Sequence, residues 1–198
     1  VKDYVLDWND SGGRHPGLFL TPQELERVKR SFKVDPARLA ALRTAAVFPY
    51  QMDDHVTYFL ATGDVELGRN LATTAAELLQ RAVDGFVKQD QLRNQGSCPH
   101  HRTGTIMWSA ILGDLALSPG VLTPPERARL KAQLAFLGYT LASPTFHSPE
   151  RGYKANPNMT TTARGMLGLV ACCARQHPQA RDWAQISIGE IERELETW

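Results

Sequence analysis

Two stretches of this sequence concentrate the side chains able to do chemistry. The first is Cys98-Pro99-His100-His101-Arg102, which opens a nearly chargeless run containing Trp108. A cysteine beside two histidines offers metal-ligand types, but adjacent histidines seldom ligate one ion together. No second ligand cluster stands at standard spacing, so no metal is expected. Two imidazoles and a guanidinium meeting an acidic sugar is the better reading. The second stretch runs from His147 through Arg151, Tyr153, Lys154, Asn156 and Asn158 to Thr162. Asn158 stands where it would cap the next helix, and the amides behind it would carry a positive partial charge able to receive a carboxylate. Asn156 and Asn158 would serve equally as turn and cap residues with no ligand at all.

The remaining histidines look less suited to function. His15 precedes Pro16 in an N-terminal loop and His177 precedes Pro178 in a helix connection, so surface or capping roles are expected for both. His55 begins an apolar helix at the same end as the two stretches above and stays a minor candidate. The sequence contains no Gly-x-x-x-x-Gly-Lys, Gly-x-Gly-x-x-Gly or Gly-x-Ser-x-Gly. That removes phosphate-loop, dinucleotide-dependent and elbow-type serine hydrolase classes, and no cofactor is expected.

The elements that must position these residues all read as helices. Thr21-Pro22-Gln23-Glu24 is a capping box with proline at the first helical position, opening a helix to about Phe32. Asp35-Pro36 repeats the signal toward Pro49 and completes a first pair. A second pair runs from Asp53 to Ala61 and, after Thr62-Gly63-Asp64, on to about Val87, with Leu71, Ala75, Leu78, Ala82 and Phe86 as its apolar stripe. After a polar loop to Arg102, the segment Thr103 to Leu117 carries only Asp114 as charge and must be buried nearly all round. Thr123-Pro124-Pro125-Glu126 then opens an amphipathic partner striped by Leu130, Leu134, Leu137 and Leu141. A third repetition follows: a loop from Ser143 to Asn158, a helix from Met159 to Ala174 interrupted only by Arg164, and a helix from about Gln179 striped by Ile188, Ile191, Leu195 and Trp198.

A helix without charge on any side needs neighbours on every side, whereas a one-striped helix needs a single buried face. Alternation of the two kinds implies an inner and an outer layer, with inner helices starting near Asp53, Thr103 and Met159 at a period of roughly 50 residues. The expected fold is therefore all-α, a two-layered array of helical hairpins forming an incomplete (α/α) toroid. Residues 1–20 form a lead-in segment and residues 21–198 the helical domain, which the good helical pattern at Trp198 suggests is truncated at its C-terminus. A closed bundle or an open solenoid would also place apolar helices centrally. If the inner helices all run the same way, the loops Phe48 to Asp54, Gln89 to Arg102 and Pro144 to Asn158 collect on one face, the candidate site.

The 198 residues are 42% hydrophobic and balance 22 basic against 21 acidic side chains, a formal charge of +1. Such a balance leaves no electrostatic footprint for nucleic acid or an anionic membrane, and neither partner is expected. No apolar stretch approaches the roughly 18–20 residues that span a bilayer, so a soluble chain is expected. The first residue is Val1, and the segment to Gly13 lacks the apolar core of a signal peptide; a leader removed earlier would fit. Three cysteines, two of them the adjacent Cys172 and Cys173, do not make a disulfide framework.

Three stretches resemble the helical toroid domain of the heparinase II/III-like and alginate-lyase-like polysaccharide lyases. They are His15-Pro16-Gly17-Leu18-Phe19-Leu20-Thr21-Pro22-Gln23-Glu24-Leu25, the hairpin turn Tyr58-Phe59-Leu60-Ala61-Thr62-Gly63-Asp64, and Asn156-Pro157-Asn158-Met159 followed by Gly165-Met166-Leu167-Gly168-Leu169. Together they span most of the chain, and the asparagine loop is the most informative. The resemblance implies β-elimination across C4 and C5 of a uronate, in which an asparagine masks the carboxylate while His and Tyr act as base and acid. The C5 proton is weakly acidic until that charge is masked, which is why the chemistry needs these types. Carried over, Asn158, or else Asn156, is the neutraliser. Met159 stands where relatives place a histidine after the asparagine, so the base and acid must come from elsewhere, and His101 and Tyr153 are assigned to them. His100, Arg102, His147, Lys154 and Trp108 are expected to bind substrate.

The expected function is thus a polysaccharide lyase, or its N-terminal helical part, acting on an acidic polysaccharide in the periplasm or after secretion. Further helices and a β-sandwich domain of the same protein are expected to complete the cleft. A toroid-fold glycoside hydrolase is a second reading and needs two carboxylates across the bond, for which Asp53, Asp54 and Asp90 are the acids nearest the proposed face. A non-catalytic scaffold binding glycan or protein is a third.

Overall fold

A computed structural model describes residues 4–18, 20–88, 100–143 and 157–196, with side chains omitted at 88, 100–105 and 157–160. The described residues form eight helices and no strand: α1 (Pro22–Ser31), α2 (Pro36–Thr44), α3 (Asp53–Thr62), α4 (Val65–Lys88), α5 (His100–Ala116), α6 (Pro124–Ala142), α7 (Pro157–Cys173) and α8 (Ala180–Glu196). The all-α expectation holds. The capping boxes form as written: at Thr21 the backbone N–H donates to Glu24 Oε2 (2.8 Å), and at Thr123 the backbone N–H donates to Glu126 Oε2 (2.8 Å). Gly63 ends α3 in the left-handed region at φ 64°, a conformation that favours glycine. None of the helices of the described residues is long and apolar enough to cross a membrane.

Side-chain contacts fix the helix directions. Phe59 lies against Gly68 across the Gly63 turn, so α3 and α4 are antiparallel. Gly68 also meets Val121, and Gln80 meets Arg129 and Gln133, so α4 runs parallel to α6. Arg127 reaches Leu117 O (2.7 Å) while Gly113 lies against Leu130 and Leu134, which makes α5 and α6 antiparallel. Arg164 donates to Leu141 O at the end of α6, whereas Arg175 and Gln176, just past α7, meet the chain segment that also holds Arg127 at the start of α6. Thus α6 and α7 are antiparallel, and α3, α5 and α7 all point one way, their starts at one end.

The α4 stripe is as expected, with Leu71, Ala75, Leu78, Ala82 and Phe86 all buried. Every residue of α5 from Ile106 onward is buried or half-buried, as its lack of charge requires. Elsewhere the fold departs from the expected pattern. The first two helices are not a self-packed pair, since α1 lies on α3 and α2 on α4, and α2 ends at Thr44, short of Pro49. From Leu130 to Leu141, α6 is buried or half-buried on all sides, Lys131 included, instead of keeping a wet face. On α8 the inward residues are Ala180, Trp183 and Ser187, while Ile188 and Leu195 of the expected stripe are exposed.

The N-terminal segment explains most of these departures. Residues 4–18 form a strap over α6 and the α7–α8 connection. Trp8 O accepts from Lys131, whose ammonium also lies 5.2 Å from the Trp8 ring centre; Asp10 pairs with Arg127 at 2.7 Å. Burial pushes the Asp10 carboxyl upward, but its bond and charge contacts with Arg127 and Lys131 outweigh this and hold it below the usual value. His15 and His177 are buried here, contrary to the surface roles expected of them. The Nε2–H of His177 donates to Val5 O (2.7 Å) and its Nδ1 accepts from the Gln179 N–H (3.0 Å), which fixes the neutral tautomer. His15 Nδ1 bonds Asp114 Oδ1 (2.8 Å), and Asp114 Oδ2 accepts the N–H groups of Gly17 and Leu18, both at 2.8 Å. Asp114, the one acidic residue of α5, therefore anchors the strap. Pro16, Leu18 and Leu20 line a cavity of about 50 Å³ together with Val56 and Leu60 of α3 and Ile111 and Leu115 of α5.

Candidate functional site

The sequence places its candidates at the starts of α5 and α7. Tyr153, Asn156, His147 and Lys154 lie outside the described residues, as do Cys98 and Asp90. His100, His101 and Arg102 are helical, because α5 begins at His100 rather than Thr103. Likewise α7 begins at Pro157, so Asn158 is its second residue and not its cap. Proline is well suited to the first helical position, where its missing N–H costs nothing. Side chains of these four residues are not among those described. Trp108 is, seven residues after His101 and so at nearly the same angular position on α5.

Trp108 is half-buried, and Tyr50 from the loop before α3 meets it edge-on, ring centres 5.7 Å apart. Tyr50 is 79% exposed and Phe48 in the same loop 59%. This contact sets the loop before α3 against α5, while residues 89–99 and 144–156 of the other two expected loops lie outside the described residues. Sequence reasoning missed Tyr50; its signal was two aromatics in a short segment that has no need of them for a turn. Beside this loop, His55 in the first turn of α3 is buried, and neither ring nitrogen has a hydrogen-bond partner among the described residues. The indole Nε1 of Trp108 is likewise buried without one among the described residues. Unmet buried polar groups are uncommon in folded proteins and mark positions that ask for an explanation.

The electrostatics of the helix starts are unequal. Acidic side chains occupy the first turns of α1, α3, α4, α6 and α8, where they offset the partial positive charge of free amides, and Asp35 caps α2. The first turns of α5 and α7 hold no acid. Those two helices are parallel neighbours, and their first turns carry His100, His101 and Arg102 on one side and Asn158 on the other. Of the acids considered for hydrolysis, Asp54 is tied to Arg38, whose Nε–H donates at 3.0 Å. Among the described residues no three His, Cys, Asp or Glu side chains gather to hold a metal. Cys173 is buried with its thiol bonding Ala110 O at 3.2 Å, and burial pushes its pKa well up, while Cys172 is exposed. The pair points in different directions, because adjacent helical residues lie about 100° apart around the axis.

Compared with protein-family models, curated proteins and solved structures, the chain matches none.

Proposed function

We propose that this chain is the helical part of a polysaccharide lyase that cleaves a uronic-acid polymer by β-elimination, its helices forming part of an (α/α) toroid. The observation that carries the reading is the pair of parallel neighbours α5 and α7, which begin at one end with no acid in either first turn and with His, Arg and Asn there instead. Such a place favours a carboxylate, because free helix amides and a guanidinium both lower the energy of negative charge. Tyr50 and Trp108 add an aromatic surface on which the apolar face of a sugar ring would lie.

In this reading Asn158 masks the uronate charge, His101 takes the C5 proton and Tyr153 gives a proton to the leaving oxygen at C4. His100, Arg102, His147, Lys154 and Asn156 hold neighbouring sugars, and no cofactor takes part. Location in the periplasm or outside the cell, and a further domain closing the cleft, belong to the same proposal.

The test is to incubate the protein with alginate, hyaluronan, heparan sulfate and ulvan and follow the ultraviolet absorbance of unsaturated uronate. Growth of that band on one polymer, and its loss in Asn158→Ala with the fold intact by circular dichroism, is expected. Silence on all four removes the reading.

A further inference from the structure

A cleft of about 800 Å³ lies between α4 and α6. Its size falls within the ~300–1,000 Å³ typical of small-molecule sites. Ala72, Ala76 and Leu130 contribute aliphatic surface, and the walls carry the guanidinium groups of Arg69, Arg81 and Arg129 with the carboxylates of Glu77, Asp84 and Glu126. Charge is offset locally: Arg81 lies 3.6 Å from Glu77, and Arg69 attracts Glu126. The cleft therefore has no net field to draw in an ion of either sign.

A chain of side-chain amides crosses it with a fixed polarity. Gln80 Nε2–H donates to Asp84 Oδ1 (2.8 Å), while Gln80 Oε1 accepts from Arg129 (3.0 Å) and from Gln133 Nε2–H (3.0 Å). A carboxylate can only accept and a guanidinium can only donate, so the Gln80 amide has one permitted orientation, and through it so has Gln133. The end left over is Gln133 Oε1. Gln133 is only 7% exposed, and among the described residues this buried oxygen has no hydrogen-bond partner. It requires a donor.

We propose that the cleft between α4 and α6 binds a neutral, polyhydroxylated ligand of disaccharide size, one hydroxyl of which donates to Gln133 Oε1. Hydroxyls suit these walls because each can donate to a carboxylate or amide oxygen and accept from a guanidinium. The C–H faces of sugar rings suit the alanine surface between them. An acidic polymer does not fit a cleft without net charge, so this site is separate from the one at the starts of α5 and α7 and stands whether or not that reading holds.

The experiment is a titration of the ¹⁵N-labelled protein with maltose and with cellobiose, following the side-chain amide resonances of Gln80 and Gln133; glucuronate and triglycine serve as comparison probes. A saturable shift of both amides with a neutral disaccharide is expected, together with at least ~10-fold weaker binding in Gln133→Met, which removes the amide at similar volume. Should Gln133→Met fail to fold, Arg129→Met, at an exposed position, is expected to weaken binding likewise. No saturable shift with either disaccharide, tighter binding of triglycine or glucuronate, or full affinity in the folded variant overturns the proposal.

Discussion

Replacing Asp114 by alanine tests how the strap is held. Its carboxylate is the acceptor for the Gly17 and Leu18 N–H groups and the partner of His15, all at 2.8 Å, and the residue is 2% exposed. Each buried N–H left without an acceptor costs ~1–3 kcal/mol, and breaking a buried paired charge typically costs ~3–5 kcal/mol in all. Asp114→Ala should therefore lose about 3–5 kcal/mol, a large part of the ~5–15 kcal/mol of a typical domain. Asp114→Asn should lose only ~1–2 kcal/mol, because its side-chain oxygen can still accept both N–H groups. Urea unfolding followed by circular dichroism gives the energies. Hydrogen exchange at Gly17 and Leu18 shows whether the strap is the part released. A loss below ~1 kcal/mol in Asp114→Ala, with unchanged exchange at both amides, would refute the anchoring role.

Other outcomes follow from the same contacts. A Cβ at Gly138 would sit 2.5 Å from the Trp183 ring, which is itself stacked on His177 at 4.5 Å, so Gly138→Ala should cost ~2–3 kcal/mol and lower Tm by roughly 4–12 °C in a thermal melt. Burial lowers the His177 pKa although the bond to Val5 O opposes it, so the unfolded chain takes up the proton first; stability is full above the ordinary value near 6.5 and declines as pH falls below it. Unfolding curves between pH 7.5 and 5.5 should show that decline, and His177→Gln should flatten it; an equal slope in both proteins would rule His177 out as its source. Tyr50→Ala, at an exposed position, should leave stability within ~0.5 kcal/mol but weaken retention on an acidic polysaccharide gel about three- to tenfold. Unaltered retention would take Tyr50 out of the site.

Local signals in the sequence were read well where local physics decides. The capping boxes at Thr21 and Thr123, the Gly63 turn and the α4 stripe depend on residues within a turn or two of each other. Asp114 and Arg164 stood out as lone charges in apolar helices, and both proved buried: Asp114 holds the strap and Arg164 donates to Leu141 O. What was missed depends on segments far apart in sequence. His177 is buried because Val5 crosses it, and Lys131 because Trp8 and Asp10 cover it, contacts spanning more than 120 residues that no periodicity encodes. On α8 the large aliphatics suggested a face through Ile188 and Leu195, yet Ser187 turns inward because its hydroxyl donates to Arg164 O (2.6 Å) and lies against Gly168. A small residue at a close helix crossing carries no hydrophobic signal. At the candidate site, the helix starts were legible to within a few residues, whereas the approach of Tyr50 to Trp108 joins parts of the chain 58 positions apart and could be seen only in three dimensions.

The most direct test of the proposed chemistry is the mass of the product released from a uronate oligosaccharide by the whole protein. β-Elimination leaves a new non-reducing end one water lighter than hydrolysis would give, so fragments carrying the unsaturated, water-deficient mass are predicted. Fragments that have gained water would identify a hydrolase, and substrate recovered intact from every acidic polymer would leave a binding scaffold; either result contradicts the lyase account.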